Sequence, residues 1–404
     1  MKDILGKGNR GLTTILTIIA ILVLGYFGID IGGLIDGEPD AIVTIVSNVE
    51  DSGFGSAPID DGTVVDDEPQ ARSLDADVGG SRQITAGGDW YDIYFTNPFC
   101  PPEEEREGGI DEFIAADIMN AGFQVDIAAF DLDSPAIYEA LVSAEEQGTF
   151  VRVVVDDEHT PESIINRLRR NGISVVIDDR SALMHNKFVI IDQEVLWTGS
   201  TNFSSNGIFC NNNNLVRFTS VDLAANYAIE MDEMYDEREF GARSPENTLQ
   251  QLSVNGIQIE NYFSPETRVA PIVASEVAQA NSEILFMAFS FTHDEVGETV
   301  LERARDGVEV RGVFETTGSE TTYSYYPDFL EAGLNNLQVR QDGNGRIMHH
   351  KVFVIDRETV IFGSFNFTNS GNDTNDENTL IVRDPEFASF FIEEFELVWA
   401  EGKQ

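Results

Sequence analysis

The feature that most constrains this 404-residue chain is a repeat. The stretch from His185 to Gly207, HNKFVIIDQEVLWTGSTNFSSNG, returns from His349 to Gly371 as HHKVFVIDRETVIFGSFNFTNSG, with ten of 23 positions identical and no gap. Both copies hold His-x-Lys-x4-Asp and then Gly-Ser-x-Asn-Phe. His185, Lys187, Asp192, Ser200 and Asn202 therefore correspond to His349, Lys351, Asp356, Ser364 and Asn366 at a constant offset of 164 residues. Self-similarity of this kind says where to divide a chain: one structural unit is built twice.

The spacing inside each copy follows from strand geometry. Phe188 to Ile191 and Val352 to Ile355 are unbroken apolar runs, predicted as strands buried on both faces. Side chains two apart on a strand share a face, so His185 points with Lys187, and Ser200 with Asn202. Each copy thus delivers an imidazole, an ammonium, a hydroxyl and an amide. Asp192 and Asp356 fall at odd spacing from their histidines, just before the polar pairs Gln193-Glu194 and Arg357-Glu358, where a turn is expected. They read as structural residues of the motif.

These two copies resemble the paired HKD motifs of the phospholipase D superfamily, in which two half-sites meet across a pseudo-twofold axis. The resemblance runs from about Asp89 to the C-terminus. It implies an α/β fold of two pseudo-twofold-related phospholipase D-like domains and a site that hydrolyses phosphodiesters without a metal or other cofactor. It further implies that one motif histidine attacks phosphorus to give a phosphohistidine while the other protonates the leaving oxygen and then activates water. Carried over, His185 and His349 take these roles, Lys187, Lys351, Asn202 and Asn366 cradle the phosphate, and Ser200 and Ser364 donate hydrogen bonds around it. Two motifs in one chain allow a monomeric active site, so no obligate protein partner is inferred.

The family often places a Glu-Asn pair shortly after the motif, the acid orienting the histidine. Repeat two keeps it as Glu377-Asn378, whereas Asn211 to Asn214 of repeat one are all Asn. With Glu377 assigned to the histidine of its own repeat, the carboxylate favours a charged His349, which suits a general acid. His185, beside neutral amides, is then the nucleophile.

Strand and helix periods alternate in the same order in both halves, which supports the α/β class. Tyr227, Met231 and Tyr235 precede Phe391, Phe395 and Trp399 by the same 164 residues, each trio spaced to cover a core face from a helix. The domain reading is: cytoplasmic N-terminus 1–10, transmembrane anchor 11–30, flexible acidic linker 31–88, first phospholipase D-like repeat 89–240, linker 241–256, second repeat 257–404. The anchor rests on the charge-free run GLTTILTIIAILVLGYFG, preceded by Lys2, Lys7 and Arg10 and followed by Asp30, Asp36, Glu38 and Asp40. That asymmetry predicts a single-pass membrane protein with its catalytic part outside the cytoplasm; a cleaved signal peptide is the rival reading. Outside the cytoplasm a disulfide between Cys100 and Cys210 is permitted, and the sequence leaves open whether the two are bridged. No zinc spacing and no nucleophilic cysteine elbow is present.

Charge bears on the substrate. Against 25 Lys plus Arg stand 71 Asp plus Glu, a formal net charge of −46. Such a balance repels polyanions and offers no basic stripe, which counts against nucleic acid. The tails NFSSN and NFTNS are similar to the nuclease-like branch of the family, which counts for it. Phospholipid and nucleic acid both stay open as substrates, and a catalytically inactive anchored binding module is the reading from another class.

Overall fold

The computed structural model describes residues 81–85 and 90–403, and these form one compact unit. The expected anchor over 11–30 and most of the acidic linker lie outside the described residues. Among the described residues no helix is long and apolar enough to cross a membrane.

Repeat one builds an eight-stranded sheet from β1 (Ser81–Thr85), β2 (Tyr91–Thr96), β3 (Gln124–Ala129), β4 (Phe150–Asp156), β5 (Ser174–Asp178), β6 (Lys187–Ile191), β7 (Val195–Gly199) and β9 (Asn214–Thr219), in the order β1-β2-β9-β7-β6-β3-β4-β5. Between the last two in sequence lies the two-residue strand β8 (Asn211–Asn212). Repeat two repeats the plan with β10 (Gln251–Val254), β11 (Ile257–Ser264), β12 (Glu283–Ala288), β13 (Glu309–Phe314), β14 (Leu337–Gln341), β16 (Lys351–Ile355), β17 (Thr359–Gly363) and β18 (Glu377–Arg383). Its order, β10-β11-β18-β17-β16-β12-β13-β14, is the same. Three strands in each sheet run parallel through helical crossovers, and the rest pair antiparallel. β1 falls inside the segment read as linker 31–88, and β10 inside the linker 241–256. Each repeat therefore starts one strand earlier than its sequence suggests, because an edge hairpin strand of mixed polarity has no distinctive period.

Helices Ile110–Met119 and Pro135–Gln147 cover one face of the first sheet, and Val269–Ala278 and Asp294–Arg305 the matching face of the second. The two sheets turn their other faces toward each other with helices Val221–Asp232 and Pro385–Glu401 between them. These helices, the first continued by the π-helical turn Glu233–Glu237 that holds Tyr235, carry the two trios, all buried. Tyr227 packs on Phe263 of the opposite repeat, with ring centroids 5.0 Å apart, and Phe391 packs on Phe95 at 5.3 Å. Each such ring contributes roughly 1.5–3 kcal/mol by leaving water. The stripe is thus the core that holds the repeats together, as its spacing predicts.

The register then fixes the motif. β6 runs antiparallel to β3 with Lys187 opposite Ala129, and β16 to β12 with Lys351 opposite Ala288. At the far end of these strands Asp192 and Gln193, like Asp356 and Arg357, adopt positive φ as the central residues of tight turns closed by Glu194 N–H to Ile191 O and Glu358 N–H to Ile355 O. The Asp192 carboxylate accepts from the backbone N–H groups of Gly122, Phe123 and Gln124, and Asp356 from those of Asn281, Ser282 and Glu283. Burial opposes ionisation of both, but the donated hydrogen bonds outweigh it and hold both below the usual carboxylate range. The geometry supports the structural reading of both aspartates.

Candidate active site

The motif tails cross between repeats. β8 pairs in parallel with the short strand β15 (Ile347–Met348), placing Asn212 beside Met348, and an equivalent bridge joins Asp376 to Met184. The backbone N–H of His185 donates to Asp376 O at 2.9 Å, and that of His349 to Asn212 O at 2.8 Å. Each histidine is consequently gripped by the tail of the other repeat.

This crossing overturns one expectation. Glu377 does not sit beside His349; its Oε2 lies 2.6 Å from Nδ1 of His185. Its counterpart at the 164-residue offset is Asn213, whose Oδ1 lies 2.9 Å from Nδ1 of His349, with Ser200 O at 3.1 Å. Both partners of His349 are oxygens that only accept, so its Nδ1 carries the hydrogen and Nε2 is the nitrogen left for chemistry. Asp131 and Asp156 flank the same half-site, and among the described residues the carboxylate bonded to the His185 ring is Glu377. Asp156 holds His159 at 2.9 Å, and Asp131 acts on Lys187.

The serines correct a second expectation. Ser200 Oγ donates to Asn213 Oδ1 at 2.9 Å and accepts from Asn214 N at 3.0 Å. Ser364 Oγ accepts from Asn378 N at 2.9 Å and donates to Glu377. A hydroxyl has one hydrogen to give, and here it goes to the residue that orients a histidine, so Ser200 and Ser364 position the tails rather than the substrate. The glycine before each serine has a matching reason. A Cβ on Gly199 would lie 2.4 Å from Asn214 O, and one on Gly363 2.3 Å from Asn378 O, so any side chain there would push the tail away.

Lys187 and Lys351 are almost fully buried, each donating to the carbonyl of its own histidine at 2.6 and 2.9 Å. Phe130 lies edge-on to His185 at 4.6 Å with Lys187 Nζ 4.8 Å from its ring centroid, and Phe289 does the same for His349 and Lys351 at 4.7 and 4.7 Å. Sequence reasoning missed both rings, since an aromatic directly after a buried strand looks like core. Asn202 Oδ1 and Asn366 Oδ1 are buried with no hydrogen-bond partner among the described residues; an amide oxygen only accepts, so a phosphoryl oxygen would have to be met by Nδ2. His350 is fully buried between Asn214 at 3.0 Å and Glu394 at 3.2 Å. Cys100 and Cys210, left open by the sequence, are joined as a disulfide.

Residues 114–235 and 273–399 each match the sequence profile described as "Cardiolipin synthase, PLD-like domain". The chain belongs to the phospholipase D superfamily. A mitochondrial cardiolipin hydrolase of Mus musculus is 34% identical over 122 residues, 30% of this chain and 54% of that protein. A phospholipase D of Rickettsia felis is 26% identical over 136 residues, 34% of this chain and 66% of that one. The chain spans about half the length of the cardiolipin hydrolases it matches. Among solved structures, phosphatidylserine synthase of Haemophilus influenzae aligns over 73% of this chain and 85% of its own with a TM-score of 0.57 at 12% identity, a likeness of fold.

Within this superfamily site, burial dominates the electrostatics. It pushes both histidines well below their ordinary value, and the two lysines push them further in the same direction. It lowers Lys187 to about 7 and raises Glu377 to about 8, against the mutual attraction of the two. Lys351, buried and beside Lys187, is also driven down. An empty site therefore favours uncharged groups, and an entering phosphodiester anion restores the ammonium ions. Lys187 must be charged to hold an anion, and its charge is lost as pH rises through about 7. Inhibition of diester hydrolysis by sulfate, an anion that does not titrate here, should weaken about tenfold per pH unit above that point. Lys187→Met should bind sulfate poorly with that part of the pH dependence gone; an unchanged slope would remove Lys187 from anion binding.

Proposed function

We propose that this chain is a phosphodiesterase that acts on phospholipid headgroup esters through a phosphohistidine, with His185 as nucleophile and His349 as proton donor. The observation that carries the reading is the convergence of two imidazoles, each tied at Nδ1, with two buried lysines. In the first step Nε2 of His185 forms a bond to phosphorus. The phosphorus–oxygen bond to the leaving group breaks, its electron pair goes to oxygen, and His349 supplies the proton. In the second step His349 takes a proton from water, the water oxygen attacks phosphorus, and the phosphorus–nitrogen bond breaks with its electron pair returning to His185. Lys187, Lys351, Asn202 and Asn366 are proposed to hold the phosphoryl oxygens throughout.

The division of labour rests on where charge develops. Attack turns a neutral His185 ring into a cation, which the Glu377 carboxylate stabilises. Proton donation turns a cationic His349 neutral, the direction in which burial and the lysines already push it, so the bound phosphodiester anion has to hold the proton on the ring until transfer. A carboxylate there would hold the proton back, and Asn213 does not. The sequence alone predicts the same roles on the opposite ground, a carboxylate beside His349; with Glu377 on His185 that ground is gone, and the assignment rests on the charge that develops at the attacking ring.

Several observations favour lipid over nucleic acid. The formal net charge is −46, and acids crowd the first half-site: Asp131 and Asp156 both act on Lys187. The relatives are named for cardiolipin and phospholipid. A disulfide fits a catalytic part held outside the cytoplasm by the apolar run 11–28. The test uses a fragment starting at Asp77, so that β1 is kept, in EDTA throughout because the lysines supply the positive charge. Phosphatidylcholine vesicles should release headgroup, and single- and double-stranded DNA should stay intact. DNA cleavage that falls steeply with salt would decide for a nuclease. No turnover even of bis(p-nitrophenyl) phosphate would leave a binding module, and activity restored only by a divalent ion would overturn the metal-independent chemistry.

A further inference from the structure

Between β2 and its first α-helix, repeat one carries thirteen residues, 97–109, where repeat two has four, 265–268. The longer connection, NPFCPPEEEREGG, is unusually restrained for a surface loop. Pro98, Pro101 and Pro102 fix φ at three positions. The N–H of Phe99 donates to Asn97 O at 2.7 Å and that of Cys100 to Phe209 O at 2.7 Å, while the disulfide ties Cys100 to Cys210. Arg106 closes the loop, its Nε donating to Pro101 O at 3.0 Å and its Nη2 reaching the sulfur of Cys210 at 3.4 Å.

At the centre of this staple the Phe99 ring is 78% exposed, more than any other large hydrophobic side chain among the described residues. The loop also borders the site. Thr96, three residues before Phe99, donates its N–H to Asn213 O at 3.0 Å, and Asn213 is the residue that orients His349. A rigid, water-facing aromatic loses little conformational freedom on binding, so burying it returns most of its transfer free energy. The same loop presents Glu103, Glu104, Glu105 and Glu107 to solvent, which repel an anionic surface within a Debye length. An uncharged interface of apolar depth is what remains, and the apolar run 11–28 in the same chain is of a length that spans a bilayer.

We propose that Phe99, presented by this disulfide-anchored loop, inserts into the surface of a zwitterionic lipid bilayer and seats the mouth of the active site on it. The proposal deepens the lipid reading of the substrate and rests on it. In the full chain, Phe99→Trp in vesicles of dibrominated phosphatidylcholine should show blue-shifted emission that the lipid quenches beyond what the parent chain shows, whose Trp90, Trp197 and Trp399 are buried. Phe99→Ser should slow headgroup release from phosphatidylcholine vesicles by about tenfold or more, the factor expected for removing one buried aromatic. Its hydrolysis of soluble bis(p-nitrophenyl) phosphate should match the parent. Quenching without any lipid turnover by the parent would uphold the docking surface and sink the substrate reading. Lipid turnover by the parent, with neither added quenching in Phe99→Trp nor loss of rate in Phe99→Ser, would overturn the docking proposal. Quenching by single-stranded DNA and none by lipid would overturn it as well and make Phe99 a base-stacking residue.

Discussion

His349→Asn, offered bis(p-nitrophenyl) phosphate, should accumulate an acid-labile phosphoenzyme with the phosphate on His185. A p-nitrophenolate leaves without a proton, so loss of the acid spares the first step, while the second step loses the base that activates water. The intermediate then builds up instead of turning over. His185→Asn removes the attacking nitrogen and should lower turnover by about 10⁵ or more, with no covalent phosphate. For leaving groups that need protonation His349→Asn should itself cost on the order of 10²–10⁴. Acid quench, followed by localisation of the label to the peptide containing residue 185 or 349, reads the outcome. Phosphate trapped on His349 in His185→Asn would reverse the roles.

Much of what surrounds those histidines is legible without coordinates, for a physical reason. Strand burial, alternation and a constant 164-residue offset are local or translational properties, so the motif strands, the aromatic stripe from Tyr227 to Tyr235 and the order of elements can be read directly. What is not legible is which repeat a tail serves. The pairing of Asp376 with Met184 and of Asn212 with Met348 is a long-range choice that no period encodes. Once the crossing is known, the offset alone identifies Asn213 as the partner of His349. The serines mislead for a similar reason: β7 stops at Gly199, so the shared-face rule no longer applies to Ser200 and Asn202. Nor does the sequence foretell the edge strands β1 and β10, whose pairing partners rather than their composition make them strands.

The same crossing makes the two half-sites electrically different, and the difference extends past one residue. Around His185, Arg180 pairs with both Asp178 and Asp376. At the equivalent positions around His349, Asn344 donates to Asn212 Oδ1 at 2.6 Å, and its N–H lies 2.7 Å from Asp342 Oδ1. Arg180, Asp376 and Glu377 on one side are replaced by the amides Asn344, Asn212 and Asn213 on the other, while Asp178 is matched by Asp342; Glu377 and Asn213 lie closest to the rings. If this difference divides the chemistry, conservative changes should be unequal. Glu377→Gln keeps size and hydrogen bonding but removes the charge that stabilises a cationic His185. It should lower kcat by about 10²–10³, the range for losing one preorganised electrostatic partner, with KM for a soluble diester little changed. Asn213→Glu adds a carboxylate to His349, which strengthens its hold on the proton. Its rate should fall for alkyl leaving groups, which need that proton, and stay near the parent for p-nitrophenolate, so the ratio of the two rates is the readout. Thermal melts of both variants separate these effects from a loss of folding. Equal losses in both variants for both leaving groups would mean that the asymmetry is structural and that Glu377 does not choose the nucleophile.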